Sequence, residues 1–263
     1  AIICFALYFS GIFWIYQLFR KRILKRFRTV ILMYHRIRDD GKDAEISVST
    51  KNFRKQMDYL RKNFTVISLD ILMKNIGNRV DTPVDHVAIT FDDGFKDNYL
   101  NAYPILREYK FPATIFLISQ LIDKKEDMLD RDAIKAMKND TISFGSHTAT
   151  HRILSEIPVE SATTEIIDSK VELETMLNED IQFLAYPKGK RKHFNTEIKQ
   201  LIKKSGYKAA LCSENGEIHS NSDLFELKRI GMRNYPLFVF RVRLSGLFET
   251  KVAYWIRNLF GLT

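Results

Sequence analysis

The sequence predicts an α/β fold in which parallel strands are joined by helical crossovers. Two observations predict it. Strand-like and helix-like stretches alternate along the chain, the order that sets parallel strands in one sheet with helices outside it. Three polar motifs, Thr90-Phe91-Asp92-Asp93-Gly94, Ser146-His147-Thr148-Ala149-Thr150-His151 and Ala185-Tyr186-Pro187-Lys188-Gly189, each follow an apolar run. They therefore fall at C-terminal strand ends, where an α/β barrel carries its chemistry.

The elements follow in order. Val30–Tyr34 reads as the first strand and ends at His35. Ser49 or Thr50 caps a helix through about Asn63, with Phe53, Met57, Leu60 and Phe64 near one face. Thr65–Ile67 is a short strand, and the helix from Asp70 to Ile76 is stopped by Gly77. Val87–Phe91 carries the acid pair. The next helix starts near Phe95 and kinks or breaks at Pro104. Ala113–Ile118 is a strongly β run, suited to a central strand. Asp130–Met137 is helical, and Thr141–Phe144 is a strand that Gly145 turns into the histidine loop. Pro158 and Ser161 open a long helix to Leu177, with Ile166, Ile167, Val171 and Leu173 as its expected buried side. Ile181–Ala185 and Tyr207–Cys212 are strands around a helix from Thr196 to Ser205.

The chain of 263 residues is long enough for one large domain with a sizeable core. Its net charge of +9 is uneven: residues 20–28 carry six of the positive charges. No nucleic-acid motif accompanies this collar, so a membrane surface is the expected acidic partner, not nucleic acid. Residues 1–19 are apolar or small except Gln17. At about 1.5 Å per residue such a helix nearly spans a bilayer core. The basic residues follow the run, which argues against a cleaved signal and predicts a single-pass membrane anchor with the domain on the cytoplasmic face. Basic residues before Ala1 would reverse that orientation. Cys4 and Cys212 lie far apart, and no structural disulfide is expected. The expected organisation is an anchor and collar over 1–28, a catalytic domain over 29–235 and a basic aromatic tail over 236–263. Arg and aromatics alternate in Leu237–Leu244 and Tyr254–Phe260, which suits either an interfacial segment or a helix packed on the domain.

Two adjacent carboxylates at a strand end repel each other unless something neutralises one, and a cation does this well. A carboxylate with two imidazoles suits zinc, cobalt, nickel or iron and leaves coordination positions open. Asp92-Asp93, His147-x-x-x-His151 and Tyr186-Pro187 stand in the order and spacing of the first three motifs of the polysaccharide deacetylases. Over roughly residues 29–235 the chain thus resembles that family, which carries the NodB homology domain and is similar to carbohydrate esterase family 4. The resemblance implies an irregular, incomplete (β/α) barrel of about seven strands.

The same resemblance implies roles. Asp93, His147 and His151 would hold a divalent metal, zinc foremost. Asp92 would be the general base. Tyr186, Pro187 and Lys188 would border the substrate, with the Lys188 amide facing the oxyanion. The late histidine of the family pattern is missing, and Ala185 stands where that pattern has arginine. Both departures resemble the exopolysaccharide and poly-N-acetylglucosamine deacetylases, in which an early Tyr-His supplies the acid. Tyr34-His35 matches, and His35 is either that general acid or a structural histidine at a strand end. The implied activity is removal of N-acetyl groups from amino sugars of a membrane-proximal glycan, whether exopolysaccharide, wall glycan or lipid-linked saccharide. Hydrolysis of another amide, such as an N-formyl sugar, and an inactive membrane-tethered carbohydrate-binding protein are the alternatives.

Overall fold

The structure, a computed structural model, describes residues 2–78, 83–138 and 141–247. Among these residues ten strands form: β1 (Thr29–Tyr34), β2 (Arg36–Ile37), β3 (Ser47–Val48), β4 (Thr65–Val66), β5 (His86–Phe91), β6 (Ala113–Leu117), β7 (Ile142–Ser146), β8 (Phe183–Ala185), β9 (Ala209–Leu211) and β10 (Ile230–Gly231). Nine α-helices accompany them: α1 (Ile2–Phe9), α2 (Ile12–Leu18), α3 (Thr50–Asn63), α4 (Leu69–Gly77), α5 (Tyr103–Tyr109), α6 (Arg131–Lys138), α7 (Val159–Leu177), α8 (Thr196–Lys204) and α9 (Leu237–Ser245). The main sheet runs β10-β1-β5-β6-β7-β8-β9, every neighbour parallel. β4 pairs with the start of β5, and β2 and β3 form a separate parallel pair. The sheet's two ends are brought together because Leu227, just before β10, bridges to Leu211 of β9. The seven strands of this path, with β4 beside β5, thus make the irregular, incomplete parallel barrel that the family resemblance implies.

Alternation along the strands sorts the core. Val30, Leu32 and Tyr34 of β1 and Val87, Ile89 and Phe91 of β5 join the cluster under the outer helices. Ile31, Ala88, Phe116, Phe183 and Leu211 point the other way and fill the barrel. The helices start where their capping residues stand. Ser49, Ser68 and Asn195 each accept a bond from a first-turn amide of α3, α4 and α8. Helical backbone starts at Lys96, and its regular ladder breaks at the proline as expected: a π turn over Asn98–Ala102 directly precedes α5, whose first turn holds Pro104. On α7 the buried stripe is Ala162, Ile166, Ser169, Leu173 and Leu177. Ile167 and Val171, expected inside, are exposed, because each lies off that stripe, Ile167 by one residue or about 100° of helix.

The expected spanning helix over residues 1–19 is not formed. Gly11, in a left-handed conformation (φ 84°), ends the first helical segment, and α1 meets the second at 65°. Among the described residues no single helix is long and apolar enough to cross a membrane. The pair instead packs Cys4, Leu7 and Phe13 against Val239, Val242 and Leu247, on and just beyond α9. Part of the collar holds this strap down. Buried Arg20 makes two 2.7 Å bonds to buried Asp85, and Lys21 adds a third contact at 2.8 Å. Arg28 bonds Glu217 at 2.7 Å and the Leu244 carbonyl at 2.9 Å. In the tail, α9 packs on the domain through Val239, Phe240, Val242 and Leu244. The second expected aromatic stretch, residues 254–260, lies outside the described residues.

Candidate metal centre and active site

The carboxyl end of β5 delivers Asp92 and Asp93, and that of β7 delivers the histidine loop. β5 and β7 flank β6, so both arrive on one rim. Asp93 Oδ1 lies 3.4 Å from His147 Nε2 and 3.4 Å from His151 Nε2. Donors about 2.1 Å from a tetrahedral ion are themselves about 3.4 Å apart, so the three residues fit a zinc-like cation. All three ligand atoms lie within 4.8 Å of one another. His147 Nδ1 is 2.7 Å from the Ala185 carbonyl, which can only accept. In the neutral ring Nδ1 therefore carries the proton, and the Nε2 lone pair faces Asp93.

The electrostatics agree with a cation site. Burial works against charge on Asp93, yet the facing imidazoles, His147 foremost, hold its carboxyl far below the usual range. Burial and neighbouring His147 push His151 down to about 4, so it stays neutral and able to ligate. Burial lowers His147 too, but Asp92 and Asp93 outweigh it and raise the ring.

The histidine loop is held from behind. Glu165 of α7 accepts from Thr150 N at 2.8 Å and from the Thr150 hydroxyl, and its carbonyl accepts from Ala149 N at 3.1 Å. Ser146 Oγ accepts from Thr148 N, and Thr148 Oγ1 from His151 N, both at 3.1 Å. Asp93, Thr148, His151 and Lys188 all have φ between 59° and 73°. Four non-glycine residues in the left-handed region around one cleft is strain of the kind that collects at functional sites.

Asp92 is buried and does not join the ligand cluster. Its two oxygens accept from Arg229 Nη1 at 2.6 Å and Nη2 at 2.7 Å. Arg229 is 0 % exposed; its Nε donates to the Cys212 carbonyl at 3.0 Å and Nη1 also reaches Thr90 Oγ1 at 3.2 Å. Burial would raise Asp92, but Arg229 and His147 overcome it and keep the carboxyl ionised. The sequence reading missed Arg229. Arg229 is the residue directly before β10.

His35, directly after β1, shares the cleft with Asp92, Asp93, His147 and Arg229. Burial lowers its pKa against the pull of the two aspartates. The cleft of about 640 Å³ is also bordered by Tyr186 and Lys188. The Tyr186 ring stacks on Phe194 (4.2 Å, 10°), and its hydroxyl donates to the Phe225 carbonyl. The Lys188 amide has no hydrogen-bond partner among the described residues. Gly189 fixes that turn. Its φ is 61°, and a Cβ there would come within 2.8 Å of Ser213 N.

The chain is similar to known proteins in sequence and in fold. The profile of the family described as polysaccharide deacetylase matches residues 79–210. YxkH of Bacillus subtilis (strain 168), assigned as a polysaccharide deacetylase, is 30% identical over 201 residues, 76% of this chain and 70% of its own. The poly-beta-1,6-N-acetyl-D-glucosamine N-deacetylase of Staphylococcus aureus (strain MRSA252) is 28% identical over 240 residues, 80% of this chain and 81% of that protein. The Streptococcus pyogenes deacetylase PplD, solved in complex with acetate, superposes with a TM-score of 0.73 at 28% identity, covering 78% of this chain and 92% of PplD. With its strand-end motifs on one rim of a parallel barrel, this chain belongs to the polysaccharide deacetylase family of hydrolases, which act on the amide bonds of acetylated sugars.

Proposed function

We propose that this chain is a divalent-metal-dependent N-deacetylase of an amino-sugar glycan met at a membrane surface, of the poly-N-acetylglucosamine exopolysaccharide type. One observation carries the reading: Asp93, His147 and His151 converge while Asp92 stays out of the cluster, ionised and fixed by Arg229. A divalent ion held by those three residues, zinc foremost, supplies Lewis acidity to the water and to the amide carbonyl.

The chain's own groups do the rest. Asp92 accepts a proton from the attacking water as its oxygen bonds to the acetyl carbon. Arg229 fixes both Asp92 oxygens, so the base meets the water in one orientation. The unpartnered Lys188 amide donates to the oxyanion. His35 lies on the same rim and protonates the leaving nitrogen as the C–N bond breaks; acetate and the free amine depart. Tyr186 and Lys188 border the cleft where the sugar would lie, whereas Pro187 is buried and does not line it. The apolar N-terminal pair and its basic collar support the membrane setting.

Acetate release from β-1,6-linked N-acetylglucosamine oligomers tests this. Chelation should abolish release and zinc restore it. Release of formate from N-formyl oligomers, with none of acetate, would replace the reading by a deformylase. No hydrolysis of either would leave a binding protein.

A further inference from the structure

The strap formed by α1 and α2 is apolar on both faces. Its inner side is spent on α9, as described above. Its outer side leaves Phe5, Phe9, Trp14, Ile15, Leu18 and Ile23 from 54% to 70% exposed. The patch is continuous through its rings: Phe5 lies 4.5 Å from Phe9, Phe9 5.2 Å from Tyr8, and Tyr8 5.4 Å from Trp14, centroid to centroid. An apolar surface of this kind marks an interaction site.

Charge selects the occupant. No Asp or Glu occurs before Asp39. Arg22 and Lys25 at the patch's edge are exposed and make no ion pair among the described residues. Between α2 and α3 lies a groove of about 620 Å³ whose lining carries five cations, Lys21, Arg22, Lys55, Lys62 and Arg241, against Asp58 and Asp85. Asp85 is already engaged by Arg20 and Lys21, and Asp58 accepts from Tyr109 at 2.7 Å. Arg241 stands 5.1 Å over the Tyr59 ring, and its buried Nε has no partner among the described residues. Phe13, Trp14 and Leu18 reach this groove from the strap itself. Lys21 is spent on Asp85, and Arg241 Nη1 donates to the Tyr8 hydroxyl. Arg22, Lys55 and Lys62 make no ion pair among the described residues. Apolar side chains flanked by such cations match a layer of acyl chains under anionic headgroups.

We propose that the strap is an interfacial plate that docks on an anionic phospholipid bilayer, with a lipid phosphate seated in the cationic groove. It lies in the membrane surface and does not span it. Tyr235 packs against the strap cluster and also borders the metal cleft, so docking holds the cleft beside the headgroups. This deepens the membrane part of the proposed function and is independent of its chemistry.

The test uses the full chain and vesicles of phosphatidylcholine, with and without phosphatidylglycerol. Sedimentation with the phosphatidylglycerol vesicles is expected, weakening as salt rises. Trp14→Glu with Ile15→Asp should weaken it at least about tenfold while the melting temperature holds. Lys62→Glu should weaken binding only to the phosphatidylglycerol vesicles. Inorganic phosphate at equal ionic strength should not displace the protein; displacement would mean a site for free phosphate and would overturn the lipid assignment. In a Trp255→Phe chain, Trp14 is the sole tryptophan and should be quenched by bromine-labelled lipid. Unquenched Trp14, indifference to phosphatidylglycerol, or binding only to a second copy or another protein overturns the proposal. Because vesicle binding is read without turnover, loss of the deacetylase reading would leave this result standing.

Discussion

Arg229 clamps Asp92 with two parallel bonds of 2.6 and 2.7 Å across 137 residues of sequence. Both groups are buried, so neither can find water if its partner is removed. Arg229→Ala should therefore destabilise the fold by about 3–5 kcal/mol. Arg229→Lys keeps a charge but loses the two-pronged geometry. It should lower kcat for acetate release about tenfold or more, with zinc content unchanged. Urea unfolding and metal analysis separate the two effects; an Arg229→Lys enzyme with normal kcat would remove the positioning role.

Gly189 sets the direction of the Lys188 amide. Gly189→Ala places a methyl 2.8 Å from Ser213 N at a φ of 61°. The turn must shift, and if the Lys188 amide is the proposed oxyanion donor, its displacement should cost up to about 10²–10³ in kcat. The expected signature is a fall in kcat with zinc bound as in the unaltered chain. Unaltered kcat would show that this amide does not face the reacting oxygen.

Asp85 ties the N-terminal strap to the barrel. Burial opposes its charge, but the bonds from Arg20 and Lys21 hold its pKa below the usual value. A depressed carboxylate contributes stability above its unfolded pKa, about 3.9, and loses it as pH falls through the lower folded value. Glu217, held by Arg28, behaves alike from its own, slightly higher unfolded pKa. Unfolding free energy should thus fall steeply below about pH 4. Asp85→Asn should flatten that dependence and lower stability at neutral pH. An unchanged acid limb in urea titrations would contradict this.

The site was legible in sequence where its residues are contiguous and end a strand. Asp92-Asp93, His147 and His151 each follow an apolar run, so strand alternation alone brings them to one rim. Arg229 was not legible, because its role depends on sheet closure. It precedes a two-residue strand whose pairing with β1 no local pattern announces. That residues 1–19 form two helices at an angle, and not one, was not legible for a different reason. Hydropathy counts composition, whereas the left-handed Gly11 and the buried Arg20–Asp85 pair decide the path of the chain. The α7 face was half legible: four apolar residues were visible, but only the partners' positions show which stripe is buried.

The division of labour between neighbouring aspartates is the point most open to direct measurement. Asp92→Asn removes the proposed base and leaves Asp93, His147 and His151 intact. It should retain zinc at the level of the unaltered chain while acetate release from N-acetylglucosamine oligomers falls at least about 10²–10⁴-fold. An Asp92→Asn enzyme that loses its zinc, or that turns over at the original rate, would contradict the assignment of Asp92 as base beside a three-residue metal site.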